Sequence, residues 1–173
     1  MSRVAAFTGG RSVPSARFRV RQYIDALSHL GVELQELPRR MERYPPRSRL
    51  VRPLWLVASL AEQLANFRAS SRYDVVLLQR EIISKCVTFE RWLGDNVILD
   101  VDDAIFLFRD GYVARTLAKK AALVVCGNSH LAERFSKWNS RVRVIPTAID
   151  TFRISKISRA SLKSLLFKTD IGV

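Results

Sequence analysis

The chain has 173 residues, enough for one domain of ordinary size, and 48% of them are hydrophobic, which excludes global disorder. The formal net charge of +13 favours acidic partners: an anionic membrane surface, phosphorylated sugars, nucleotides or nucleic acid. No apolar run has the length of a signal peptide or a spanning helix, so we expect a cytoplasmic protein, soluble or at most peripheral. Cys86 and Cys126 show neither metal-site spacing nor a disulfide framework, so we expect reduced core thiols and no metal.

The N-terminal part of the chain alternates between strand and helix patterns. Residues 3–8 (RVAAFT) form an apolar run that predicts the first strand. Residues 15–30 have the apolar spacing of a helix, and Gly31 is a natural C-terminal cap for it. Residues 32–37 alternate between apolar and polar side chains like a second strand. The prolines and arginines of residues 38–53 then predict a loop.

The middle of the chain continues the alternation. Residues 54–69 predict a helix, and its expected buried face consists of Leu56, Val57, Leu60, Leu64 and Phe67. Residues 73–79 predict a buried strand, residues 82–93 a helix and residues 96–100 a fourth strand. A short helix is predicted at residues 112–120.

Three further elements complete the predicted fold. A strand at residues 121–126 is followed by a helix that Asn128 or Ser129 caps, and residues 142–145 predict a sixth strand. Strands that alternate with helices are typical of parallel sheets. The sequence therefore predicts an α/β fold, a doubly wound, Rossmann-like parallel sheet with helices on both faces.

The turn after the first predicted strand is rich in glycine and arginine. In open parallel sheets, ligands lie beyond the carboxyl ends of the strands. Gly9 and Gly10 would let the backbone approach a ligand closely, and the helix start that follows, near Arg17 and Arg19, would attract anions. A dinucleotide fingerprint and a P-loop lysine are absent. The alternative is a tight turn without chemical consequence.

Three carboxylates, Asp100, Asp102 and Asp103, follow one another within four residues at the end of the fourth predicted strand. Their mutual repulsion is costly unless solvent, cations or a ligand compensates for it. One interpretation makes Asp102 or Asp103 a hydroxyl-binding group or a general base. Metal binding is a second interpretation, which we rank low. In a third, purely structural one, Asp103 caps a helix and Asp100 pairs with an arginine.

The segment of residues 121–153 carries the strongest likeness to a known family. It predicts a strand, an amphipathic helix and a second strand that ends in the turn Pro146-Thr147-Ala148-Ile149-Asp150. This resembles the V-I-P-x-G-[VI]-D end of the N-terminal domain in group 1 glycosyltransferases of the GT-B fold, with alanine at the usual glycine position. The segments FTGGRSVPSARFRVRQYI and LDVDD are similar to the opening and the D-x-D-D segment of that domain.

The resemblance implies transfer of a hexosyl group from a nucleotide-diphosphate sugar, as co-substrate, to a hydroxyl of a cell-envelope glycan or lipid-linked acceptor. It implies a catalytic role for Asp102 or Asp103. The residues that it places on the acceptor side are Gly9, Gly10, Arg17, Arg19 and Asp100. Those that it places at the cleft or hinge between two domains are Asn128, Ser129, Pro146, Thr147 and Asp150. For Asn128 and Ser129, helix capping is the alternative.

The same resemblance divides the chain into residues 1–150, the acceptor-side domain, and residues 151–173, a linker or an aberrant tail. The family's donor-binding Arg/Lys pair and E-x7-E segment have no counterpart, and the tail contains no glutamate. We therefore expect an N-terminal fragment that is inactive alone. The alternatives are a stand-alone Rossmann- or flavodoxin-like binding module, or one subunit of a split transferase that works with a separate donor-domain chain.

The segment of residues 39–52 contains six arginines: Arg39, Arg40, Arg43, Arg47, Arg49 and Arg52. Apolar side chains accompany them, so one hypothesis places the segment on an anionic membrane, peripherally on its inner face. A basic peripheral membrane protein without catalysis is a further candidate. The alternative is a solvated loop. Nucleic-acid binding is disfavoured because no helix-turn-helix, zinc spacing or RNP-like motif accompanies the charge.

Overall fold

The computed structural model describes residues 1–10, 13–39, 46–79, 93–107 and 109–148. They form one six-stranded sheet, in which every pair of neighbouring strands is parallel, with helices against it. The strands β1 to β6 are Ser2–Thr8, Val32–Pro38, Val75–Gln79, Val97–Val101, Leu123–Cys126 and Val142–Val144. The helices α1 to α5 are Pro14–Arg19, Ile24–His29, Arg52–Ser70, Tyr112–Lys120 and Ser129–Ser136. The predicted fold class is confirmed.

The strand order is β2-β1-β3-β4-β5-β6, so the winding direction of the sheet reverses between β1 and β3. Side chains alternate between the two faces of each strand, and the apolar ones form two separate clusters. Ala6, Val20 and Leu34 form the smaller cluster beneath α1 and α2. The larger cluster includes Leu99 and Phe135 and lies beneath α4 and α5. Helices therefore cover both faces, as a doubly wound sheet requires.

The single helix expected at residues 15–30 is wrong. The chain forms α1, a 3-10 turn and then α2, and it leaves the helical conformation at Val20, whose φ and ψ are −128° and −66°. A regular helix would direct Arg19 and Arg21 to opposite sides, because residues two apart do not share a face. The break lets both arginines reach carboxylates at the end of the sheet, while Val20 stays fully buried. Gly31, with a φ of +78°, follows α2 in the capping position that the sequence predicts.

The expected apolar face of α3 is also wrong in its first half. Leu56 and Val57 are 45% and 64% exposed, whereas Ser59 and Gln63 are buried. Only Phe67 of the expected face packs against the larger core cluster. The first turns of α3 therefore direct small or polar side chains inward and apolar side chains outward.

Two predicted elements lie outside the described residues, namely the helix at residues 82–93, except for Leu93, and the tail at residues 151–173. The division of the chain at residue 150 stays a prediction for the same reason. The remaining strands and helices lie close to their expected positions, and α4 has the expected bounds. Across the described ranges, no helix is both long and apolar enough to cross a membrane.

Candidate functional site

Four neighbouring strands end in polar side chains on the same face of the sheet, the face that α1 and α2 cover. These side chains are Glu36 on β2, Thr8 on β1, Gln79 on β3 and Asp100 on β4. Gln79 pairs with Asp100 in the strand register, and Thr8 follows the pair of Phe7 with Leu78. Thr8, Gln79 and Asp100 are 6%, 5% and 4% exposed. A row of buried polar groups therefore crosses the carboxyl end of the sheet at the switch point, where ligands bind in this fold class.

Arg19 and Asp100 form an ion pair in this row. The Nε of Arg19 donates to both carboxylate oxygens, at 3.0 and 2.8 Å, and its Nη2 donates to Oδ1. Both side chains are 5% exposed. The hydrogen bond with Asp100 raises the pKa of Arg19 against the effect of burial, and the charge of Asp102 adds to the rise. The guanidinium therefore stays protonated, as a planar donor to fixed acceptors.

The same guanidinium reaches the turn after β6. The Nη1 of Arg19 donates to the carbonyl of Ile145 at 3.1 Å and to the hydroxyl of Thr147 at 3.0 Å. Nearby, the amide of Gln22 donates to the carbonyl of Ala148 at 2.9 Å. The backbone of Gly127 passes close by, since a Cβ there would lie 3.7 Å from Nη1 of Arg19. One side chain thus connects the helix after β1, the end of β4 and the turn after β6.

A second ion pair lies at the other end of the polar row. The Nε of Arg21 donates to Glu36 Oε2 at 2.5 Å, and its Nη2 donates to the carbonyl of Gly10 at 3.0 Å. The hydroxyl of Thr8 donates to Glu36 Oε1 at 2.6 Å. The hydrogen bond with Glu36 raises the pKa of Arg21. This pair fixes the backbone of the glycine turn against β2.

Gln79 lies between the two ion pairs and differs from its neighbours. Both polar atoms of its side chain are buried, and no hydrogen-bond partner for either lies among the described residues. A buried amide without partners costs about 1–3 kcal/mol. Such a cost is typical of positions where a ligand or an ordered water completes the hydrogen bonding. Gln79 is therefore the polar group in this row with unused hydrogen-bonding capacity.

The acidic segment after β4 separates its three carboxylates. Asp100 points to α1 and is buried, Asp102 is half-buried and Asp103 is exposed. The carbonyl of Asp103 accepts a hydrogen bond from the amide of Ile105 at 2.8 Å, at the start of a short 3-10 helix. The pairing of Asp100 with an arginine, one of our interpretations, is what the structure shows. The catalytic roles of Asp102 and Asp103 stay predictions.

The glycine turn after β1 has less backbone available for a ligand than the sequence suggested. Gly10 has a φ of +134°, which side chains rarely adopt, and its carbonyl binds Arg21. The helix that follows, α1, has six residues and begins at Pro14. The anion-binding role of its start stays a prediction. Arg17 lies on the exposed side of α1, 5.5 Å from the ring centroid of Phe18, and does not approach Asp100.

The cleft residues expected after β5 and β6 lie at the same edge of the sheet. Asn128 caps α5, and its Oδ1 accepts a hydrogen bond from the amide of Leu131 at 2.9 Å. Ser129, Pro146 and Thr147 are exposed, whereas Asp150 lies outside the described residues. The structure therefore confirms Asn128 as a helix cap and brings Thr147 into the network around Arg19.

In the basic segment of residues 39–52, the prediction that Arg39 faces a membrane is wrong. Arg39 is 7% exposed, its Nη2 donates to the hydroxyl of Ser59 at 3.1 Å, and its guanidinium lies 5.6 Å from the ring centroid of Trp55. It holds α3 against the sheet and is not available to a membrane. Arg47, Arg49 and Arg52 are exposed, and Arg40 and Arg43 lie outside the described residues.

The sequence did not predict roles for Thr8, Glu36 and Gln79, although each is a polar residue at or near the end of a predicted strand. Their position at the strand ends was the signal that could have identified them.

No group of three His, Cys, Asp or Glu side chains is placed to hold a metal ion within the described ranges. A cavity of about 590 Å³ lies at the opposite, amino-terminal ends of the strands, next to Tyr73, Asp74 and Asn96.

No protein-family model matches the chain, and no curated protein is significantly similar to it.

Proposed function

We propose that the described domain is the acceptor-side half of a GT-B glycosyltransferase. The complete enzyme would transfer a hexosyl group from a nucleotide-diphosphate sugar to a hydroxyl of a cell-envelope glycan or lipid-linked acceptor. One observation carries the proposal. Arg19, from the first segment that resembles the family, binds Asp100 in the second segment and Thr147 in the third. Three segments far apart in the sequence therefore meet at one guanidinium, on the edge of the sheet where ligands bind.

The roles in this proposal follow from position and chemistry. Asp102 is half-buried beside Arg19 and would accept the proton of the attacking hydroxyl. Gly9 and Gly10 would let a sugar ring approach the backbone. The amide of Gln79 offers one hydrogen-bond donor group and one acceptor, which match a sugar hydroxyl. Arg19 and Asp100 bind each other, so they would hold the turn at Thr147 in position and would not contact the substrate.

A second candidate, a stand-alone binding module, is favoured by one observation. The order of the first five strands, β2-β1-β3-β4-β5, is that of flavodoxin-like folds, which bind a nucleotide cofactor at the switch point between β1 and β3. Gly10 and Gln79 lie at the ends of those two strands. In this candidate the same edge would hold a phosphate-bearing nucleotide by itself. In the transferase proposal, the residues that bind the donor nucleotide belong to a different domain.

Nitrogen-15 NMR titrations distinguish the two candidates. We expect uridine diphosphate-glucose and guanosine diphosphate-mannose to leave the spectrum unchanged at micromolar concentrations. We expect millimolar mono- and disaccharides to shift the amides of Gly9, Gly10 and Gly127, because these surround the proposed acceptor site. Asp102→Asn should weaken the saccharide response, whereas Asp110→Asn, which changes an exposed carboxylate elsewhere, should not. Tight nucleotide binding with shifts at Gly10 would overturn the transferase proposal in favour of the binding module.

A further inference from the structure

The start of α3 presents a basic and apolar surface to solvent. We define this α3 entry surface by Arg47, Arg49, Leu50, Arg52 and Leu54. Leu50 is 92% exposed and Leu54 is 70% exposed, and the three arginines are exposed as well. Val51 and Val57 extend its apolar part, with 47% and 64% of their surfaces exposed. Single exposed apolar residues are normal, but a contiguous group of this kind marks an interaction site.

The exposure of these leucines follows from how α3 is held. Arg39 inserts beneath the helix, where it binds Ser59 and stacks on Trp55. Ser59 is fully buried, so the inward face of the first turns is already occupied by small and polar groups. Rotation of α3 to bury Leu54 would move Ser59 away from the buried guanidinium of Arg39 and break the hydrogen bond between them. The helix therefore keeps its leucines outside.

The charge of the surface has one sign. Between residues 46 and 61 the chain contains three arginines and no acidic residue, and Glu62 is the first carboxylate to follow. Arg49 and Arg52 flank Leu50 and Val51 directly, and Arg47 lies two positions before Arg49, so cationic and apolar side chains lie close together along the segment. This combination fits a partner that is anionic at its surface and apolar just beneath it.

We propose that the α3 entry surface docks on an anionic phospholipid bilayer. The lipid headgroups would bind the arginines, and Leu50 and Leu54 would enter the boundary between headgroups and acyl chains. A nucleic acid would satisfy the arginines but would leave the leucines in water. The bilayer accounts for both halves of the surface.

The docking surface and the polar row lie at the same edge of the sheet. The amide of Arg39 donates to the carbonyl of Thr8 at 3.2 Å, where β1 ends, and Arg39 then contacts the first turns of α3. A bilayer in contact with Leu54 would therefore adjoin the edge where β1, β3 and β4 end. The proposal uses none of the residues to which the sugar-transfer proposal assigns a role, so either one can fail without the other.

Co-sedimentation of the full chain with sucrose-loaded vesicles tests the proposal. We expect binding to phosphatidylcholine vesicles that contain about one third phosphatidylglycerol, and little binding to pure phosphatidylcholine. Each arginine at an anionic surface contributes about fivefold to the partition coefficient, so the double variant R47Q/R49Q should bind about 25-fold more weakly. The double variant L50A/L54A should lose at least about tenfold, even if the leucines are only partly buried in the lipid boundary. Thermal unfolding of each variant checks that the fold is retained.

Matched controls separate this surface from the general basic charge of the chain. R141Q/R143Q removes the same charge from exposed positions at β6, and L30A/L107A removes two other exposed leucines. Both controls should change vesicle binding by less than about twofold at about 0.1 M salt. Screening limits the reach of exposed charges to about 10 Å, and Leu30 and Leu107 lie outside the α3 entry surface. An equal loss in R141Q/R143Q and R47Q/R49Q would overturn the proposal. So would unchanged binding in L50A/L54A, or a monomer–dimer equilibrium that responds to this variant while vesicle binding does not.

Discussion

Arg19 and Asp100 are separated by 81 positions in the chain and form a buried ion pair, with Nε of Arg19 within 3.0 Å of both carboxylate oxygens. The pair has a further consequence, because the third nitrogen of the guanidinium holds the turn at Ile145 and Thr147. Burial of two charges is costly, and their attraction repays this cost only when the geometry is good and the other hydrogen bonds are made. Here the fork of the arginine meets both conditions, so the pair positions the carboxyl edge of the sheet.

Removal of both partners of this pair should cost less than the sum of the two single removals. R19M leaves a buried carboxylate without its cation, and D100L leaves a buried guanidinium without its anion. Each should lower the free energy of unfolding by about 3–5 kcal/mol. The double variant R19M/D100L should be less destabilised than the sum of the two. Urea unfolding of the four proteins measures the coupling, and strictly additive losses would contradict the role that we assign to the pair.

The two glycines after β1 should respond differently to alanine. A Cβ at Gly10 would meet only ordinary contacts, the nearest being the carbonyl oxygen of Arg39 at 3.5 Å, but the φ of +134° is strained for alanine. Gly10→Ala should therefore cost about 1–3 kcal/mol of stability. Gly9→Ala is the matched control, because Gly9 has no such φ and its Cβ would touch Val13 at 3.5 Å. We expect it to change stability by less than about 0.5 kcal/mol in chemical denaturation.

Gln79 should show opposite effects on stability and on ligand binding. Its buried amide lacks partners among the described residues, so Gln79→Leu should raise the free energy of unfolding by about 1 kcal/mol. The same change should weaken the saccharide response in NMR titrations. Gln22→Leu is the control for stability, because that amide donates to the carbonyls of Phe18 and Ala148 and its loss should destabilise the fold. If Gln79→Leu destabilises as much as Gln22→Leu does, its amide has a structural partner.

Cys126 should make the protein less stable at alkaline pH. Its thiol is fully buried, and burial raises its pKa from an ordinary value of about 9 to about 11. Between these values the unfolded chain has lost the thiol proton and the folded chain retains it, so stability falls as the pH rises. At about pH 10.5 the loss from this group amounts to roughly 2 kcal/mol.

Urea unfolding at about pH 8 and about pH 10.5 measures this effect. The variant Cys126→Ala should lose less stability between these two conditions than the native chain, since other groups that titrate in this range are common to both. An identical loss in the two proteins would show that the thiol has the same pKa in the folded and unfolded states.

Much of the fold could be predicted because the signals are local. The alternation of residues 32–37, the glycine after α2 and the Asn128 cap each act over about four residues, and the structure contains all three. The strand ends were located well enough to place Asp100, Asp102 and Thr147 at one edge of a parallel sheet. That placement depends only on the common direction of the strands and the short turns that follow them.

The rest of the site depended on contacts between distant residues. Which carboxylate Arg19 binds is decided by the strand order and register, which bring β4 beneath α1, and no local pattern contains this information. The break at Val20 follows from the same contacts, because tertiary hydrogen bonds at Arg19 and Arg21 outweigh the helical propensity of the segment. Arg39 looked like a surface cation because its contacts, Trp55 and Ser59, are remote in sequence. Only the packing of α3 shows that Arg39 is buried.

The sequence by itself therefore determined the class of fold, the end of the sheet at which its polar residues gather and the approximate positions of most elements, since periodicity and capping are properties of neighbouring residues. Only the tertiary structure decided which of those residues pair with each other and which retain unused hydrogen-bonding capacity. Arg19 and Asp100 form an ion pair with each other. Both polar atoms of the Gln79 side chain are buried and have no partner among the described residues, and Leu50 and Leu54 face solvent. The physical reason is that burial and pairing are set by what lies opposite a side chain, across strands and helices that are remote in sequence.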